Sequence, residues 1–165
     1  MDARKINWCF NKKEGIKIVE PNDNLARDYL QSSEETLSVL QNLEGKSKIW
    51  LATTKYYCEY FAVYALLQKI GIKCEIHDCT IEVSRFLEEK GILPKGSFDL
   101  LDFDKQLRID NQYYLKNRKV EIDIRKISEF ILKIKDKINS ITFDEVEEIR
   151  KDFSKLKIGS LNNDN

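Results

Sequence analysis

The chain is predicted to be all-α, an up-and-down antiparallel bundle of five to six helices with an extended N-terminal arm. Three observations predict this. Apolar residues recur at helical spacing through most of the sequence. The 165 residues include only six glycines and two prolines, too few for the tight turns of a hairpin-rich β fold. The periodic segments are joined by short polar connections, which suit antiparallel neighbours. The length fits a single domain, expected over residues 1–159, with 160–165 as a disordered polar tail. Beta content is expected to be negligible.

Residues 1–20 hold Ile6, Trp8, Phe10, Ile16, Ile18 and Val19 without an evident helical register, and "IKIVEP" alternates briefly before Pro21. This reads as an extended arm (1–21) packing its apolar residues on the body or on a partner. Asn22 and Asn24 offer caps for a first long helix over 24–44, whose stripe includes Leu25, Tyr29, Leu30, Leu37 and Leu40, with Gly45 closing it. Ser47 caps a second helix over 48–70. That segment is apolar on nearly every side, which predicts a central position, and Gly71 ends it.

After the connection "IKCEIHDCT", Asp78 or Thr80 is the expected cap of a third helix running through Lys90, with Ile81, Phe86 and Leu87 facing inward. Ser97 is the expected cap of a fourth, from Phe98 to about Leu115. A fifth spans 123–139, with Ile124, Ile127, Phe130, Ile131, Ile134 and Ile138 on one face. Thr142-x-x-Glu145 is a capping box and opens a short last helix with Val146, Ile149 and Phe153.

Lysine plus arginine and aspartate plus glutamate number 28 each, so the net charge is zero. A dedicated nucleic-acid binder usually carries a basic excess, so only a local basic patch is left open. The charged start "MDARK" lacks a secretory pattern, and no apolar run approaches the roughly 18 residues that cross a membrane. A cytoplasmic, non-membrane protein with reduced Cys9, Cys58, Cys74 and Cys79 is expected. Cys74, His77 and Cys79 invite a zinc reading, but their spacing fits no common zinc pattern, and no metal is expected.

No P-loop, G-x-G-x-x-G, G-x-S-x-G or H-E-x-x-H is present. Two places hold chemistry-bearing residues. In "EIHDCTIE" (75–82), the single histidine, His77, is either a general acid–base or part of a helix cap. In "LRIDNQYYLKNR" (107–118), Arg108, Asp110, Asn111, Gln112, Tyr113 and Tyr114 form either a solvated helix face or a binding site. At about 100° per residue, Arg108, Asn111 and Gln112 share a face, whereas Tyr113 lies about 140° round. A joint Arg108–Tyr113 site therefore needs a kink or a second copy of the chain. Arginine's planar fork suits a phosphate, and tyrosine stacks on a base.

The segment "ATTKYYCEYFAVYALLQKIGIKCEIH" (52–77) resembles HEPN domains, the higher-eukaryote and prokaryote nucleotide-binding group. Their second helix reads like "YYa-x-F-x-x-ALL-x-x-G", followed shortly by a histidine. "LRIDNQYY" falls where these domains carry an arginine motif, and the similarity covers about 24–139. The arm with "INWC" and the "EIH-x-CT" connection resemble a largely archaeal branch. The resemblance implies a homodimeric helical bundle that needs no cofactor. Active members are metal-independent ribonucleases with an R-x4-6-H site doubled across the dimer seam. Many pair, as toxins, with a small nucleotidyltransferase antitoxin, while other members only bind nucleotides, RNA or partners.

Arg108 matches the motif arginine, but positions 113–115 are Tyr, Tyr and Leu, so the motif histidine is missing. Free tyrosine, with a pKa near 10, is a poor base at neutral pH. The resemblance thus implies a binding or interaction protein. The alternative is a ribonuclease with an altered site, in which Arg108 holds phosphate and Tyr113, Tyr114 or His77 moves protons. A third possibility is a helical module with no ligand. The apolar surplus of the second helix is expected to form the dimer interface.

Overall fold

The computed structural model describes residues 3–43 and 45–161. Among them are seven helices, α1 (Ala3–Phe10), α2 (Asp23–Gln41), α3 (Lys48–Ile70), α4 (His77–Glu89), α5 (Ser97–Gln112), α6 (Ile124–Ser140) and α7 (Phe143–Leu161). One small antiparallel sheet joins β1 (Ile16–Ile18) to β2 (Ile72–Cys74), pairing Ile16 with Cys74 and Ile18 with Ile72. The all-α bundle is therefore present, with this sheet as its only strand pairing among the described residues.

Helix α3 is the central element, as its all-round apolar character requires. It packs against α2, α5, α6, α7 and β2. Ser47 caps its start by accepting from the Trp50 amide, and Gly71 ends it in the left-handed conformation at φ 71°. Alongside α2, the contacts run in reverse order. Asn22 N donates to Gln68 O, Lys69 pairs with Asp23, and Ser33 Oγ donates to Cys58 O, so the two helices are antiparallel. Tyr56, Tyr60 and Tyr64 are buried within the single chain. Much of the aromatic surface expected to form a dimer interface thus packs within the bundle, Tyr57 and Phe61 are half-buried, and Trp50 is the one apolar residue of α3 that is largely exposed.

The N-terminal arm is not extended throughout. Ile6, Cys9 and Phe10 stand at i, i+3 and i+4, and α1 turns Ile6 and Cys9 into the core. The periodicity becomes visible once cysteine is counted as an apolar residue. Cys9 is disulfide-bonded to Cys79 at the start of α4, so these two thiols are not reduced. Cys58 and Cys74 are free, and burial pushes each up to about 12.

Several helix ends differ from expectation: α2 ends at Gln41 with Asn42, not Gly45, as its C-cap, and α5 ends at Gln112, short of Leu115. Helix α4 begins at His77, after Ile76, with no side-chain cap from Asp78 or Thr80. Gly96, not Ser97, occupies the N-cap of α5. The Glu88 carboxylate takes the capping role, accepting from Gly96 N at 2.8 Å and Phe98 N at 3.0 Å. Helix α7 is long and runs through Leu161 into the expected tail, of which residues 162–165 lie outside the described residues. Its capping box forms in both directions: Thr142 N donates to Glu145 and Glu145 N to Thr142 Oγ1. Arg150 then ties α7 to the end of α3, donating to Val19 O, Ile70 O and Gly71 O. Among the described residues, no helix is long and apolar enough to cross a membrane.

Candidate functional site

Helices α3 and α5 meet along a seam with an unusual share of polar residues. On α5, Leu101, Asp104, Arg108 and Asn111 follow i, i+3, i+7 and i+10 and are all buried. An apolar seam would be the cheaper solution, since buried charges carry a desolvation cost of several kcal/mol each. At one end, Lys55 Nζ pairs with Asp104 at 2.7 Å. Glu59, one turn along α3 from Lys55, is 0% exposed. Burial, and then the neighbouring Asp104 charge, hold its carboxyl well above the usual range. The shift favours a protonated Glu59, the form that can donate to Asp104, because two ionised carboxylates can only accept. A cavity of about 370 Å³ adjoins this pair, lined by Leu100, Asp123, Lys126 and Ile127 besides Lys55 and Glu59.

At the other end stands Arg108, 8% exposed. Its guanidinium lies 5.0 Å from the Tyr56 ring centroid, 5.6 Å from Tyr57 and 6.0 Å from Tyr113. Such contacts are worth roughly 2 kcal/mol when desolvated. Its hydrogen bonding is incomplete. Nη1 reaches Gln112 Oε1 at 3.4 Å, and Nε is buried with no hydrogen-bond partner among the described residues. No described carboxylate lies within ion-pair distance of it. With Lys55 cancelling Asp104 and Glu59 neutral, Arg108 is the uncompensated positive charge of the seam.

Tyr113 reaches this group because α5 ends at Gln112. Tyr113 is the C-cap, with φ −101° and ψ −35°, and its amide still bonds to Ile109 O at 3.0 Å. The chain then leaves the helix, with Leu115 at φ 50° and Asn117 at φ 54°. The kink that helical arithmetic demanded for a joint Arg108–Tyr113 site is supplied by the helix terminus. Tyr113 is 64% exposed, so its ring has an open face beside a buried cation.

The fold also brings His77 to the same place. Its Nδ1 lies 2.6 Å from the Tyr56 hydroxyl, and its ring stacks on Tyr60 at 4.5 Å with 29° between planes. Burial, and then the Arg108 charge, lower its pKa, so the imidazole is neutral near pH 7. Tyr56 is pushed well above the usual tyrosine range by burial. The chain reversal through β2 returns His77 to the α3 face that carries Tyr56 and Tyr60. Arg108, Tyr113, Gln112 and His77 thus share a neighbourhood, with Tyr56, Tyr57 and Tyr60 between them.

The other residues of the predicted stretch serve the helix end. Asp110 accepts from Gln106, Lys116 and Arg118, the last at 2.6 Å, and the Lys116 and Arg118 bonds lower its carboxyl to about 2. Asn111 donates to Arg118 O at 3.3 Å. Tyr114 is exposed, with Lys116 5.4 Å from its ring. Tyr56 and Tyr57 are the site residues that sequence reasoning missed. The signal was an aromatic stripe on α3 that reads equally as core.

The residues considered for zinc do not converge, since Cys79 is bonded to Cys9 and His77 Nδ1 to Tyr56. Among the described residues, no group of three histidine, cysteine, aspartate or glutamate side chains is placed to hold a metal ion. No family model, curated protein or solved structure matches the chain.

Proposed function

We propose that this protein is a HEPN-like nucleotide- or RNA-binding protein in which Arg108 anchors a phosphate and Tyr113 stacks on an adjacent base. The observation that carries the reading is the state of Arg108. It is a buried guanidinium with an orphaned Nε, ringed by tyrosines and without a carboxylate partner. A buried donor left unpaired costs about 1–3 kcal/mol, and an anionic oxygen would remove that cost. In this reading the protein acts as a homodimer, and the exposed run Tyr113, Tyr114 and Leu115 forms part of the seam. Its partner is a small nucleotidyltransferase.

The test is a thermal-shift and calorimetric titration with a nucleoside monophosphate and a short single-stranded RNA. Wild type should bind both, and Arg108→Met should bind neither while remaining folded. Equal binding by the variant would refute the assignment. Light scattering should give about twice the 19.4 kDa chain mass. A monomer at micromolar concentration would remove the dimer from the proposal.

A second reading, a metal-independent ribonuclease with an altered site, is favoured by one observation: His77 lies a single tyrosine away from Arg108. It predicts RNA cleavage in the presence of a chelator, lost in Arg108→Ala and His77→Ala. RNA left intact over hours would dismiss it.

A further inference from the structure

The hydrogen bond between Tyr56 and His77 contains one proton, and its placement decides what His77 can do. The hydroxyl and Nδ1 are 2.6 Å apart. Either the tyrosine donates to a bare Nδ1, or a protonated Nδ1 donates to the tyrosine oxygen. In the second arrangement the Tyr56 proton needs another acceptor. Tyr56 is fully buried, and Nδ1 is its only hydrogen-bond partner among the described residues. Leaving that hydroxyl unpaired would cost about 1–3 kcal/mol, which favours the first arrangement by about 5- to 150-fold.

The surroundings act in the same direction. The His77 ring is stacked on Tyr60 and edged by Tyr57 at 6.0 Å, so it is held against rotation. The charged groups facing it are Arg108 and Lys105 from α5 and Asp78 from its own helix, and Asp78 is itself paired with Lys105. A second positive charge on the imidazole is therefore disfavoured. A neutral ring accepting at Nδ1 must carry its proton on Nε2.

We infer that Tyr56 is a positioning residue that locks His77 into the Nε2–H tautomer, making it a hydrogen-bond donor to the same phosphate that Arg108 anchors. The identity of the anion rests on the reading proposed above, whereas the tautomer does not. A donor at Nε2 cannot take a proton from a ribose hydroxyl. The lock accordingly separates a site that holds phosphate from one that cleaves RNA by base catalysis.

Nitrogen-15 NMR of the imidazole tests this directly, and the single histidine of the chain gives one unambiguous set of signals. At pH 7 the wild type should show a bare Nδ1 and a protonated Nε2. Tyr56→Phe, which removes the donor but keeps the ring, should populate both tautomers. A wild-type spectrum showing a protonated Nδ1, or the imidazolium, would overturn the inference even if the variant failed to fold.

Titration with inorganic phosphate supplies the second arm. Loss of a charge-assisted hydrogen bond should weaken phosphate binding at least tenfold in His77→Ala, with partial recovery in His77→Gln, which restores an N–H donor. Unchanged binding in His77→Ala would overturn the donor role. Absence of phosphate binding by wild type would instead defeat the phosphate reading and the donor role resting on it, leaving the tautomer to be decided by the spectrum alone.

Discussion

Glu59→Gln should stabilise the protein, and increasingly so as pH rises. Glu59 is fully buried beside Asp104, and its carboxyl stays protonated well above its ordinary 4.5. Below that value the folded and unfolded chains both hold the proton, and the group imposes no pH-dependent penalty. Above it, the unfolded chain releases a proton that the folded chain keeps, and stability falls with pH until Glu59 ionises within the fold. The slope is about 1.4 kcal/mol per pH unit. For each pH unit above 4.5 over which the folded chain keeps the proton, the loss of about 1.4 kcal/mol lowers Tm by about 3–6 °C for a chain of this size. Glutamine keeps the shape and the donor to Asp104 but cannot ionise. Thermal melts of both proteins across this range should nearly coincide near pH 4.5 and diverge above it, with the variant higher. Asp110, lowered to about 2 by Lys116 and Arg118, and Asp152, lowered to about 2 by Lys155 and Lys90, destabilise both proteins alike on acidification and cancel in the difference. Parallel curves, or a wild type that stays more stable at pH 6.5, would refute the protonated pair.

Two further stability predictions follow from the packing. Replacing Cys9 and Cys79 by serine removes a bridge with a sequence separation of 70, which should cost about 4 kcal/mol by loop entropy, read by denaturant unfolding with and without reductant. Reductant should not shift the double variant. Gly71→Ala forces a side chain into φ 71° and against Val19 O and the Arg150 guanidinium, and should cost well over the roughly 1–2 kcal/mol of the left-handed conformation alone. Gly45→Ala, at φ 75° with open space around it, should cost only that conformational amount, and equal melting losses at the two positions would contradict the packing around Gly71.

Much of the bundle could be read from local pattern. Helix α3 was bounded by Ser47 and Gly71 on cap chemistry alone, and the Thr142–Glu145 box located the start of α7. These signals lie within a few residues of the structure they specify. Helix α1 was missed because its register depends on Cys9, whose burial and partner, Cys79, are set by tertiary packing. The cap of α5 was misassigned for a similar reason, since Glu88 reaches it from the preceding helix.

The site divides the same way. Arg108 and Gln112 share a face as helical spacing predicts, and Arg108, Tyr113 and His77 carry recognisable chemistry on their own. What joins them is not local. Tyr56 precedes His77 by 21 residues, and only the reversal through β2 brings the two into contact. Asp110 and Asn111 looked like binding groups because nothing in the sequence shows that Lys116 and Arg118 fold back onto them.

The Nε–Hε group of Arg108 reports the proposed anion-anchoring role at the atom concerned. In a proton–nitrogen correlation spectrum, titration with a nucleoside monophosphate should shift the Arg108 Nε–Hε signal saturably, as the orphaned donor gains an oxygen partner. Nucleotide binding that leaves this signal unmoved, or no binding at all, would contradict the account.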